Sequence, residues 1–175
     1  MSSFVKVSES EVTSATSSVT LTGIDSTNNY CVIVTNFKTD TAGGNLTVRV
    51  TSGGTAQSGT NYDRAGKQLR NNAAFNNAAS SNNTHFTTHF ANGTNTGSAN
   101  NCIYYLYQFY GGSSYAYVTA EEVGYDQNGI LIGNQAGVTH TVGQSNDGLY
   151  FYSDAGNISS GVFTLYRIER WYMLK

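Results

Sequence analysis

Proline is absent from this 175-residue chain and charged residues make up only 11 percent of it, whereas average soluble proteins hold about 5 percent proline and about 25 percent charge. Without proline the chain uses no X-Pro cis bonds, fixed kinks or polyproline linkers. The net charge of -2, from 9 basic and 11 acidic residues, gives no electrostatic footprint for nucleic acid or an anionic membrane, so neither is expected as a partner. Apolar runs stay well below the roughly 18 residues a transmembrane helix needs, and the opening MSSFVKVSESEV lacks the basic start and apolar stretch of a signal peptide. Synthesis in the cytoplasm is the expectation. Cys31 and Cys102 are far apart and neither belongs to a CxxC pair, which excludes a zinc knuckle or thioredoxin-like site. Buried reduced thiols are expected, with a mutual disulfide as the alternative.

What the chain does have is 13 tyrosines, 19 glycines and an abundance of Ser, Thr and Asn. β-Branched and aromatic runs bounded by small turn-formers predict strands, not helices. Such runs span Ser17–Ile24, Tyr30–Phe37, Asn45–Ser52, Thr84–Ala91, Cys102–Tyr110, Tyr115–Val123, Gly129–Gly133, Gly137–Gly143, Gly148–Ser153 and Gly161–Arg170, with Phe4–Val7 as a short edge. Ser52-Gly53-Gly54, Asp126-Gln127-Asn128-Gly129, Asn146-Asp147-Gly148 and Asp154-Ala155-Gly156-Asn157 supply residues that tolerate positive φ at bends. The stretch from Asn61 to Asn83 has little β character. It reads as a helical turn around Arg64–Leu69 followed by a long surface loop. The prediction is all-β: a β-sandwich or jelly roll of about 8–10 antiparallel strands with long loops. It forms one domain over 1–175, with an N-terminal arm at 1–15 and a docking tail at 170–175.

Two runs, YCVIVTNF and CIYYLYQFY, are apolar on both faces, as in strands covered on both sides or strands that meet another subunit. In GVFTLYRIER the inner face is left open by the pattern, with Phe163 and Leu165 on one side and Val162, Tyr166 and Ile168 on the other.

Chemical motifs are thin. His85 and His89 on a strand would lie about 13 Å apart, too far to share one ion within a chain, and His140 stands alone. Glu121 and Glu122 must point to opposite sheet faces and so form no glycosidase pair. Asp63, Asp126, Asp147 and Asp154 fall in loop contexts that Asx hydrogen bonding explains. A polysaccharide-cleaving enzyme would have to rest on Asp126 or Glu122. There is no GxSxG elbow, phosphate loop or EF-hand. No catalytic, metal or cofactor residue is therefore assigned, and no enzyme is expected. The Asn-x-Ser/Thr sites at Asn45, Asn82, Asn92 and Asn157 read as accidents of composition.

The surplus of rings remains, at Tyr104, Tyr105, Tyr107, Phe109 and Tyr110 on one strand and Tyr150, Phe151 and Tyr152 on another. A subunit interface is the leading explanation, beside an ordinary core and a glycan-binding patch. Tyr104, Tyr105, Tyr107, Tyr150, Tyr152, Trp171 and Tyr172 are the candidate interface residues.

The opening TLTGID, the YDRAG after the third strand and the closing GNISSGVFTLY resemble small structural proteins of tailed phages from aquatic and cyanobacterial hosts. The resemblance implies a jelly-roll module on the virion, assembled in the host cytoplasm. It would be a capsid decoration or cement protein, often a homotrimer, whose partners are itself and the phage major capsid protein or a tail component. A tail-fibre or baseplate adhesin binding host glycans is the alternative. The apolar ending Trp171–Lys175 departs from that pattern and is expected to dock on a neighbour or on the core.

Overall fold

In a computed structural model the chain is described over residues 2–25, 28–72, 75–87, 92–95 and 97–170, with side chains at 2 and 170 left aside. The strands are β1 (Ser2–Val12), β2 (Ser18–Thr22), β3 (Asn29–Thr39), β4 (Leu46–Ser52), β5 (Thr55–Ala56), β6 (Tyr62–Arg70) and β7 (Phe75–Asn83). They continue with β8 (Phe86–Thr87), β9 (Asn100–Tyr107), β10 (Ala116–Tyr125), β11 (Leu131–His140), β12 (Gly148–Ser153) and β13 (Ile158–Arg170). No helix occurs among the described residues. The fold is an all-β sandwich, as the composition predicts.

The pairing is nested. β1 pairs with β13, β2 with β12, β3 with β9 and β4 with β8, all antiparallel. β13 also pairs with β3, and β12 with β4, which closes these eight strands into two facing layers. Four more strands continue one layer beyond β9, so the large sheet runs β1-β13-β3-β9-β10-β11-β6-β7, eight strands against a five-stranded partner. We refer to β10, β11, β6 and β7 as the extension.

The core fills the space between the layers with Val32, Val34 and Phe37 of β3, Phe163 and Leu165 of β13, Val48 and Val50 of β4, and Leu149 and Phe151 of β12. The Phe151 and Phe163 rings lie 5.1 Å apart and Tyr104 follows at 6.3 Å from Phe151, within the range of productive ring packing. Phe163 and Leu165 therefore settle the inner face of GVFTLYRIER. Tyr62 ties the extension to the small sheet: its hydroxyl accepts from Val50 N at 3.1 Å and donates to Gln57 O at 2.8 Å.

Three expectations need correction. Tyr62–Arg70 and Phe75–Asn83 are not a surface loop but the antiparallel pair β6–β7, matched from Arg64 to Leu69 with a register shift between Tyr62 and Arg64. Its inward positions include Arg64 and Gln68, so the apolar alternation that marks a strand is missing. The arm at 1–15 is largely edge strand, with β1 paired along β13 from Ser2 to Val12. The two strands expected at 129–133 and 137–143 are one, because Asn134 and Ala136 continue the inward alternation of β11. The expected run Thr84–Ala91 is described as strand only at Phe86–Thr87, and the tail beyond Arg170 lies outside the described residues. At the β10–β11 turn Gly129 takes φ 74° and Asp126 Oδ1 accepts from the backbone N–H groups of Asn128 and Ile130, as the DQNG signal predicts.

Candidate functional site

Strict alternation on β10 buries Ala116, Val118, Ala120 and Glu122 and turns Tyr117, Thr119, Glu121, Val123 and Tyr125 outward. The neighbours continue the pattern: β9 presents Ile103, Tyr105 and Tyr107, and β6 presents Ala65, Lys67 and Leu69. Between them β11 presents Gly133, Gln135 and Gly137, and nothing lies within 4 Å of a Cβ built on either glycine. The outer face of the large sheet is thus a shallow trough floored by β11. On its β10 wall Tyr117 is 46% and Val123 48% exposed, and on the other side Leu69 is 48% and Phe75 67% exposed. These large apolar groups stand in water at neighbouring positions of one face, Tyr117 beside Tyr107 and Leu69 beside Phe75, and are not scattered singly.

The predicted interface residues do not share one surface. Tyr104 is a correction: it is wholly buried, packing its ring against Phe86 at 5.9 Å and donating its hydroxyl to Glu122 Oε1 at 3.3 Å. The neighbouring Tyr105 and Tyr107 fall on the outer face by the period of two, half-buried and exposed respectively. Tyr150 and Tyr152 sit on the small sheet, half-buried, with rings 5.6 Å apart and the Arg49 guanidinium 4.9 Å from the Tyr152 ring. Trp171 and Tyr172 lie outside the described residues. Sequence reasoning passed over Tyr117, Val123, Leu69 and the two glycines of β11. For the first two, alternation within YAYVTAEEV was the available signal; for the others a misread hairpin and a split strand hid it.

On the inner side of the extension lies a buried polar network. Glu122 takes a hydrogen bond from the Asn134 amide as well as from Tyr104, while Arg64 donates to Asn134 Oδ1 and to Ala78 O, each at 3.1 Å. Small residues make room for it. Ala120, Ala136, Gly66 and Ala78 form one row across β10, β11, β6 and β7, and the guanidinium lies beside that row. Burial pushes Glu122 up to about 7 against the pull of Asn134, Arg64 and Tyr104, and burial lowers Arg64 despite the nearby carboxylate. With Glu122 and Arg64 each 5% exposed, the network braces strands and offers no carboxylate to solvent. Asp126 is likewise engaged, with Arg70 at 3.3 Å and its turn amides. Asp63, Asp147 and Asp154 accept backbone N–H groups from Asn82, Gly54 and Asn45.

Glu121 and Glu122 do point to opposite faces, one exposed and one buried. Cys31 and Cys102 are free and buried, and burial raises both thiols, Cys31 to about 11. His85 and His140 are shifted down by burial, and His89 lies outside the described residues. Among the described residues no three His, Cys, Asp or Glu side chains gather as a metal site. Comparison with protein-family models, curated proteins and solved structures finds no match to this chain.

Proposed function

We propose that the chain is a structural subunit of a tailed-phage particle, a decoration or cement protein of the head that works by burying its own surface against neighbours. One observation carries the reading: the outer face of the large sheet, where Tyr107, Tyr117, Val123, Leu69 and Phe75 stand exposed in the single chain. A jelly-roll module suits this role, and the nested order of β1·β13, β2·β12, β3·β9 and β4·β8 supports that topology. The mechanism is mechanical, since area buried at subunit junctions raises the cost of separating capsomers. The partners are further copies of the chain and the major capsid protein, on a virion assembled in the host cytoplasm.

The test is peptide mass spectrometry and electron microscopy of purified particles with and without the protein. Regular density on the head, lost together with the protein, is the expected result. A chain missing from purified virus ends the proposal. Tail-borne density, with glycan binding that Tyr117→Ala abolishes, favours the adhesin reading. The observation on its side is that Tyr107 and Tyr117 are register neighbours on the same face, two rings on which a sugar can stack.

A further inference from the structure

We propose that the outer face of the extension closes against the same face of a second copy of this chain, about a two-fold axis lying in the face and running close to β11. The register sets the argument. Four level rows cross β10, β11 and β6: Tyr117–Thr139–Asp63, Thr119–Gly137–Ala65, Glu121–Gln135–Lys67 and Val123–Gly133–Leu69. Rotation about β11 exchanges β10 with β6 and keeps each row at its level, so each β10 residue meets the β6 residue of its own row in the other copy.

Every one of those encounters is chemically matched. Tyr117 brings a phenol to the carboxylate of Asp63, Thr119 meets Ala65, Glu121 meets Lys67 and Val123 meets Leu69. Within one chain Glu121 and Lys67 stand two strands apart, about 9.6 Å, and among the described residues Glu121 forms no ion pair or hydrogen bond. The Lys67 ammonium rests 5.7 Å from the centroid of the Phe75 ring. The other in-plane two-fold, running across the strands through the Gln135 row, stacks Glu121 on Glu121 and Lys67 on Lys67, which like-charge repulsion forbids. Farther out the match is mixed: Tyr105 meets Ala79 but Ile103 meets Asn77, so the four inner rows carry the fit.

The spine of the contact is Gly133, Gln135 and Gly137. Open space over both glycines leaves room along the axis for the flanking side chains of the other copy, and the two Gln135 amides meet on the axis. A patch five strands wide and about nine residues long covers about 24 by 30 Å, roughly 700 Å², close to the roughly 800 Å² each partner buries in a stable interface. Such a contact is isologous and joins two copies. A three-fold ring, the form the resemblance implies, would need two different patches.

The proposal shares with the assembly role only the premise that this face is covered, and its readout is mass in solution, not presence on a particle. Light scattering on a sizing column and sedimentation of the full chain should give twice 18.8 kDa. Glu121→Lys and Lys67→Glu should each weaken association by about tenfold or more, and the double exchange should restore it to within about threefold. Gly137→Arg, built where a side chain meets nothing in the single chain, should abolish pairing and leave the circular dichroism melt of the dilute protein unchanged. A wild-type chain that stays single at about 100 μM, far above the Kd of a standard interface, overturns the proposal. So does a three-copy mass indifferent to Gly137→Arg, or a dimer in which the double exchange is no better than either reversal. Failure here leaves the virion assignment standing, and absence from virus leaves the dimer standing.

Discussion

The nested half of the large sheet and its extension bury their inner faces by different chemistry. In β13, β3 and β9 the inward positions are Phe163, Leu165, Val32, Val34 and Tyr104, facing Val48, Val50, Leu149 and Phe151 of the second sheet. In β10, β11 and β6 they are mostly Ala, Gly, Val and the polar set Glu122, Asn134, Arg64 and Gln68. A five-stranded layer does not match eight; Tyr62, Val118 and Val138 of the extension still join the shared core, and around Glu122, Arg64 and Asn134 hydrogen-bonded polar groups over a floor of small residues take the place of branched aliphatics. The difference teaches that a sheet can be lengthened past its partner layer if the added strands brace one another, because a buried polar group costs little once each of its hydrogen bonds is made.

The largest effect that would test the contrast lies in the nested half. Phe151→Ala removes a ring packed between Phe163 and Tyr104 and should cost about 3–5 kcal/mol in denaturant unfolding. Leu69→Ala on the outer face of the extension should change monomer stability by no more than about 0.5 kcal/mol. Equal losses at the two positions would show the outer face of the extension to be packed as tightly as the core.

Next in size is the pH dependence that belongs to the extension alone. Glu122 is raised from 4.5 to about 7 by burial, so the folded chain holds that proton more tightly than the unfolded one. Its stabilisation is therefore complete below about pH 4.5 and is lost as pH rises through about 7, a change on the order of 2–4 kcal/mol. Glu122→Gln keeps the shape and removes the titration. The difference between wild-type and variant stabilities should grow in the variant's favour from pH 5 to 8. His85 and His140, lowered by burial, slope the opposite way but do so in both proteins and cancel. Parallel curves would show that Glu122 stays ionised in the folded state.

The same contrast explains what could be read from the sequence. The nested half was legible because its strands are written in Val, Ile, Phe and Tyr with turn signals between them, and β3, β4, β9, β12 and β13 lie close to where those runs place them, as does β10 at the inner end of the extension. The rest of the extension was not, since YDRAGKQLR places Arg64 and Gln68 inward and FNNAASSNN buries only Ala78. A pattern method looks for apolar residues inside, whereas these positions are satisfied by Asn134, Ala78 O and Asn76, partners that become neighbours only after folding. Tyr104 was misassigned for a different reason. In CIYYLYQFY nearly every position is apolar, so composition cannot say which tyrosines face inward, and register with the small sheet decides it.

The smallest predicted effect concerns the two edges of the large sheet, one in each region. β1 and β7 each have a single hydrogen-bonded neighbour, yet only β1 is tied through side chains to the nested half. Its Phe4 ring meets Tyr166 edge-on at 6.0 Å, Glu9 accepts from the Thr164 hydroxyl at 3.1 Å and Val12 is buried. On β7 the backbone oxygen of Ala78 takes Arg64, Asn76 reaches Gln68 at 3.4 Å, and Phe75 extends into solvent. Local opening is easiest where few apolar contacts must be broken. Native-state hydrogen exchange on dilute, unpaired protein should therefore find β7 amides opening about 1–2 kcal/mol more readily than those of β1 near Val12. Pairing of the extension with a second copy should narrow that gap, because closure of the face orders the β6–β7 hairpin and leaves β1 at the far edge of the sheet. If the gap is absent in the single chain, the extension is as firmly held as the nested half, and its polar network is worth as much as a second sheet.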